Sequence, residues 1–375
     1  LDRQLEFLPD DGTIAERAAG TGPVLSRPEL SVLLAYAKLQ AFDQILNSDL
    51  PDDDDLQALL FDYFPDPLPE RFPADIRSHR LRREIIATRL GNDLLDQMGA
   101  GFLFRTMEST GRSVGDIGRA YLATRRLFAI DELWAALAGL DNRISGSALL
   151  PIRIHLVQAI EQGMTALLRH VGSGFSITRL VQQLRQPVVE LAGAMLDLLP
   201  PSDQRRLSLQ ASEYQGLGLP EDLALDLSRL RHQLAVIPVS GITPEADLFP
   251  SLSVYWHLAE RLELVWLGQA VDRLPTDTVW QERFQNGLRD DAARQHLAIT
   301  RLILAQAETG TATAAGNRVE SWLQAQGDVW TRLQRTLQAL HTGQELDATM
   351  LSVGIQDLKL LGAPNTARAA PGAGD

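Results

Sequence analysis

The 375-residue sequence contains no cysteine. That excludes a disulfide framework, a thiolate zinc site and a thiol nucleophile, and it fits a reducing, cytoplasmic setting. Lysine is nearly missing too. Lys38 and Lys359 stand alone, so the cationic side chains are arginines spread through the chain. Long apolar runs are also lacking: LSVLLAYA at 30–37 falls far short of the roughly 20 residues that a membrane span needs, so no membrane partner is expected. The opening LDRQLEFLPDDG has neither the basic leader nor the apolar stretch of a signal peptide. It starts on Leu rather than Met, as expected of a piece of a longer polypeptide. Net positive charge is lacking as well: 48 acidic residues against 35 basic ones leave −13, a field that opposes nucleic acid or an anionic surface as a whole-chain partner.

What is present is helical periodicity. LSRPELSVLLAYAKLQAFDQIL carries a capping box, with Ser26 as N-cap, Pro28 in the first turn and Glu29 reaching back. DELWAALAGL is read as starting on Asp131 in the same way. Val254, Leu258, Leu262 and Val265 form one stripe, widened by Tyr255, Ala259 and Trp266. No stretch alternates with period two, so the fold class is all-α, a multi-helix assembly without a regular repeat. FPDPLPERFP (64–73) is too proline-dense for a helix. The composition divides the chain into a leading segment (1–24), a helical domain (25–237), a linker (238–250) and a second helical subdomain packed on the first (251–340). A weakly ordered tail (341–375) follows, ending in the aperiodic GAPNTARAAPGAGD.

Chemistry is hard to find. The glycine pairs 20/22, 99/101, 172/174 and 216/218 never complete G-x-G-x-x-G, and no Walker loop or G-x-S-x-G elbow occurs, so no cofactor is expected on this chain. The nearest metal-like pair, His257 with Glu260, supplies two ligands at best, and no metal is expected. PDDDDLQALL (51–60) lacks the glycine and terminal glutamate of a calcium loop; acidic residues in the first turn of a helix explain it better. GRSVGDIGRAYLATRRLF (111–128) opens like a helix-turn-helix, with Ser113 and Asp116 as its cap. The segment after it, AIDELWAALAGL, is too apolar to read bases, so binding of nucleic acid through 111–128 is the alternative to an ordinary packed helix pair.

Five stretches, taken together and in order, resemble one family. LSRPELSVLLAYAKL (25–39), DLPDDDDLQALLFDYFPDPLPERF (49–72), HRLRREIIATRLGNDLLDQMG (79–99), LWAALAGLDNRI (133–144) and RLELVWLGQAVDRLPTDTVWQERFQNGLRDD (261–291) are similar to the C-terminal region of the large bacterial NAD-specific glutamate dehydrogenases. The resemblance runs from about residue 1 to 305, and is loosest between 145 and 250. It implies a parent enzyme that converts L-glutamate, NAD and water to 2-oxoglutarate, ammonium and NADH. The catalytic lysines, catalytic aspartate and NAD loop of that family have no counterpart here, so none is carried over. Lys38 sits in an amphipathic helix, where a snorkelling lysine is the default. The resemblance implies a non-catalytic helical domain whose partners are the catalytic core of the same polypeptide and further copies in a homo-oligomer. Its role is then structural, oligomer-forming or regulatory.

The 79–99 stretch needs its own reading. At about 100° per residue, Arg82, Arg89, Asp93 and Asp96 share one narrow stripe of mixed sign, the mark of a solvated edge. Leu81, Ile85, Ile86, Leu90, Leu94, Leu95 and Met98 fill most of the rest. Through them runs a polar row at spacing four, Glu84, Thr88 and Asn92. On a central packing helix this row should be buried, with Glu84 paired to an arginine and Asn92 bonded to a neighbouring backbone.

Overall fold

In the computed structural model, residues 3–306, 314–343 and 346–363 are described. Among them, regular structure consists of twenty α-helices and three single 3₁₀ turns, with no strand. The fold is all-α, as its periodicity implies. The aperiodic tail-end GAPNTARAAPGAGD lies outside the described residues, apart from the Gly362–Ala363 pair that precedes position 364. The chain divides into two compact units, Leu1–Arg185 and Gln186–Asp375. The division falls inside a continuous helix, not at the expected linker 238–250.

The first unit opens with α1 (Asp11–Ala18), capped by Asp10, and α2 (Arg27–Leu46), which carries the Ser26–Glu29 capping box. Two 3₁₀ turns, Leu50–Asp52 and Asp54–Leu56, lead into α3 (Gln57–Phe61). The proline-dense stretch contains the single-turn α4 (Leu68–Arg71), and α5 (Pro73–Arg77) begins at its end. Pro69 and Pro73 sit in first turns, where a missing N–H costs nothing. Then come α6 (Arg82–Met98), α7 (Phe102–Thr110), α8 (Val114–Leu127), α9 (Ile130–Ala138) and α10 (Gly146–His170).

α6 and α8 form the centre of this unit. α6 buries Ile85, Ile86, Ala87, Leu90, Gly91, Leu94, Leu95 and Met98, and it packs against α2 and α3. α8 packs against α10 and buries every residue from Val114 to Thr124. Gly118 permits the closest approach: a Cβ there would stand 2.7 Å from Leu50 Cδ1 and 3.2 Å from Leu90 Cδ2. α9 is not capped by Asp131. Its N-cap is Ala129, held left-handed at φ 50°, which frees the Asp131 carboxylate for Arg125.

α11 (Ile177–Leu198) runs across the division. The second unit continues with α12 (Pro201–Gly216), α13 (Glu221–Gln233), α14 (Val236–Ser240), α15 (Leu248–Arg261), α16 (Leu264–Asp272), α17 (Val279–Ala305), α18 (Ala315–Ala325), α19 (Asp328–Thr342) and α20 (Ala348–Leu361). Three sequence expectations change here. The 238–250 stretch holds buried Pro238, Val239 and Leu248 within this unit. The Val254–Val265 stripe is split, because Glu263 adopts φ 53° between α15 and α16, so Leu267 rather than Val265 reaches the core. The supposed weak tail contains α20, whose Leu351, Ile355, Leu358 and Leu361 are core residues at helical spacing. Each such leucine removed from water contributes about 1.5–3 kcal/mol, enough to fix the last helix in place.

Candidate functional site

The densest polar arrangement in the first unit is built around the acidic run 49–55. Leu50 and Leu56, both fully buried, anchor the two 3₁₀ turns and leave the intervening carboxylates pointing outward at neighbouring helices. Arg119, on buried α8, donates from Nη2 to Asp49 at 2.8 Å and from Nε to Asp53 at 3.0 Å. Its hydrogen bond holds the Asp49 carboxyl below its ordinary value. Asp52 receives Arg82 at 3.1 Å and also Arg83, and Arg83 further donates to the carbonyls of Leu46 at 2.7 Å and Ser48 at 3.3 Å. Asp55 accepts from the Thr178 amide at 3.1 Å and from the Ser176 and Thr178 hydroxyls. Partial burial pushes its carboxyl up, but those donors outweigh burial and hold it low. Arg126 closes the run on the Asp55 carbonyl at 2.7 Å.

This loop is a receiver for arginines. Its carboxylates are committed one by one to donors of this chain, in addition to the first-turn placement of Asp52, Asp54 and Asp55 in the two 3₁₀ turns. Among the described residues no cluster of three or more His, Asp and Glu side chains could hold a metal ion.

A second node lies on the other side of α8. Arg125 donates to Asp131 at 2.7 Å, to Asp93 at 3.0 Å and to the Tyr121 hydroxyl at 3.3 Å. The Tyr121 hydroxyl donates in turn to Gln97 at 2.9 Å, and burial raises its pKa. Arg112 reaches the Leu168 carbonyl at 2.6 Å and Ser173 at 2.7 Å, while Asp116 accepts from the Gly174 amide at 3.0 Å. The arginines of the 111–128 segment are therefore engaged with the chain itself, and α8 is enclosed by neighbours. A recognition helix needs an open face, and this helix has none.

The polar row is placed differently from its sequence reading. Glu84 and Asn92 are half-buried and Thr88 is exposed, its hydroxyl turned back to the Glu84 carbonyl at 2.7 Å. Glu84 makes no ion pair among the described residues; the ion pair here is made by its neighbour Arg83, to Asp52. The wheel places a residue on a face but cannot say which neighbouring helix is long enough to cover it. The mixed stripe does lie at an edge, and it is bridged: Asp93 to Arg125 at 3.0 Å, and Asp96 to Lys38 at 2.7 Å. Arg83 and Arg119 escaped the sequence reading because their partners lie 31 to 70 positions away, a spacing that no local motif encodes.

In the second unit, His257 and Glu260 do not form a pair. His257 Nδ1 donates to the Ser253 carbonyl at 2.8 Å, and Glu260 accepts from Ser202. A half-open groove of about 320 Å³ is lined by Arg261, Glu263, Trp330, Gln334, Gln338 and His341. His341 bonds Glu263 and lies tilted against the Trp266 ring, with centroids 3.9 Å apart, while Arg261 lies over Trp330 and pairs with Glu320 at 2.8 Å. Its charged groups, too, are matched internally.

Residues 22–360 match the family described as glutamate dehydrogenase, C-terminal. The chain is similar to the NAD-specific glutamate dehydrogenase of Halomonas elongata, at 30% identity over 98% of this chain and 23% of the relative. It is similar to the proteins of that description from Pseudomonas aeruginosa, at 31% identity, and Mycobacterium tuberculosis, at 30%, each over 96% of this chain and 22% of the relative. The chain thus spans less than a quarter of the length of the curated relatives it matches.

Proposed function

Because the chain belongs to the glutamate dehydrogenase C-terminal family, we propose that it is the helical C-terminal part of an NAD-dependent glutamate dehydrogenase and takes no chemical part in turnover. The parent enzyme would convert L-glutamate, NAD and water to 2-oxoglutarate, ammonium and NADH, with NAD bound elsewhere in the polypeptide. The observation that carries the reading is the match of residues 22–360 to the glutamate dehydrogenase C-terminal family, together with similarity to relatives more than four times as long. The polar nodes support it. A guanidinium held between two carboxylates is not free to polarise or protonate a substrate, whereas it is well suited to fixing helices in register.

The partners in this reading are the catalytic core of the same polypeptide and other copies in a homo-oligomer, without nucleic acid or membrane. Among the described residues no helix is long and apolar enough to cross a membrane. The role is structural, oligomer-forming or regulatory. Calorimetric titration of the 375-residue chain with NAD tests the division of labour. The expected result is no saturable heat; saturable micromolar binding would overturn it.

A further inference from the structure

A helix that is apolar on all sides belongs in an interior. α2 has Leu30, Val32, Leu33, Leu34, Ala35, Ala37 and Leu39 in its N-terminal part, yet its buried residues are Ala41 and Ile45, both towards its C-terminal end. No described residue before Ala41 is buried. Leu30 is 51% exposed and Leu39 59%, and Phe7, on the segment leading to this helix, is 89% exposed.

The geometry explains where support ends. α2 and α6 run antiparallel: a Cβ on Gly91 would lie 3.7 Å from both Ile45 and Phe42, and further along Lys38 meets Asp96 at 2.7 Å. Moving toward the start of α2 therefore means moving toward the end of α6, which stops at Met98. The first nine or so residues of α2 extend past the end of α6 by about 13 Å, at 1.5 Å per residue. The face that buries Ala41 and Ile45 continues at helical spacing through Ala37, Leu34 and Leu30. The leading segment fastens polar positions of this overhang, through Tyr36 to Glu6 at 2.5 Å and Glu29 to Arg17 at 2.9 Å.

We propose that the part of the polypeptide preceding this segment docks on the N-terminal half of α2 and covers Leu30 and Leu34. This rests on the reading of the chain as the C-terminal part of a longer enzyme. This chain matches a family described as C-terminal and spans 22–23% of its relatives, which favours the N-terminal side for most of such a polypeptide. The leading segment runs directly into α2. A partner tethered there acts at roughly millimolar effective concentration, whereas a second copy must give up its free translation and rotation to bind. The surface that fits is an apolar groove able to take leucines at spacing three to four, as in helix-in-groove recognition.

Hydrogen–deuterium exchange, read by mass spectrometry on the full polypeptide and on the 375-residue chain, tests the proposal. Amides of 31–40 should exchange about tenfold or more slowly in the full polypeptide, and those of 82–98 equally in both. Leu30→Glu combined with Leu34→Glu in the full polypeptide should abolish the difference at 31–40 while 82–98 stays protected. Equal exchange at 31–40 in both wild-type proteins overturns the docking. If that polypeptide still oxidises glutamate with NAD, the dehydrogenase reading survives; if it does not, that reading fails separately. Protection of 31–40 that rises with the concentration of the 375-residue chain assigns the face to a second copy and also overturns the proposal.

Discussion

Arg119 and Asp49 lie seventy positions apart in the chain, yet they meet at 2.8 Å, and the same guanidinium holds Asp53. One side chain on a buried helix thus fixes both ends of a 3₁₀ turn. The arginine side chain is 7% exposed, while the Asp49 side chain is 69% exposed and the Asp53 side chain 19%. The stabilisation therefore rests mainly on Asp53 and on packing of the arginine stem. Arg119→Met should cost about 1–3 kcal/mol, because it leaves the Asp53 carboxylate half-sealed without its cation. Arg82→Ala, which breaks an exposed pair, should cost about half a kcal/mol or less. Urea melts of the two variants check the contrast, and equal shifts would remove the special place of Arg119.

Neighbouring positions on α6 should behave oppositely. Arg83 closes the end of α2 by donating to the Leu46 and Ser48 carbonyls, so Arg83→Ala should cost about 1–2 kcal/mol. Glu84 is half-buried and makes no ion pair among the described residues, so Glu84→Ala should stay within about half a kcal/mol. Denaturant midpoints measure both. A larger loss at Glu84 would restore the buried-row reading.

Two glycines should respond to alanine with opposite sign. At Gly118 the new Cβ meets Leu50 Cδ1 at 2.7 Å, and Leu50 is fully buried and cannot step aside. Gly118→Ala should therefore cost about 1–3 kcal/mol despite its better helix propensity. At Gly287, within α17, a Cβ meets nothing within 4 Å, so Gly287→Ala should stabilise by about 0.5–1 kcal/mol. Thermal melts of both variants test the contacts directly.

His296 gives a pH dependence. Burial holds its pKa down at about 4, although its Nε2–H donates to the Tyr255 carbonyl at 2.8 Å and the ring stacks on Tyr255 at 3.7 Å. The folded state therefore keeps this histidine neutral where the unfolded chain, titrating near 6.5, takes up a proton. Stability is full above the unfolded value and falls as pH drops from about 6.5 to about 4, by up to about 3 kcal/mol, after which this contribution is exhausted. Urea midpoints measured across that window should fall less steeply in His296→Gln. Parallel slopes would mean that the ring is reached by water.

Much of this was legible in the chain. The Ser26–Glu29 box marks the start of α2 and Thr278 with Gln281 marks that of α17, because caps are local chemistry. The apolar side of α6 follows from period alone. The arginine-receiving role of 49–55 does not, since a run of aspartates reads the same whether it faces water or guanidinium groups from distant helices. The division at Arg185 is silent because α11 carries a continuous helical pattern through it. The core packing of α20 was signalled by Leu351, Ile355, Leu358 and Leu361, a stripe overshadowed by the aperiodic composition that follows.

The central claim is that the chemistry of the parent enzyme lies outside this chain. The most direct measurement is NADH formation from L-glutamate and NAD by the full polypeptide and, in parallel, by the 375-residue chain at equal molarity. The account predicts turnover by the full polypeptide and none by the chain. Turnover by the chain alone, or a folded full polypeptide that forms no NADH from glutamate, would contradict it.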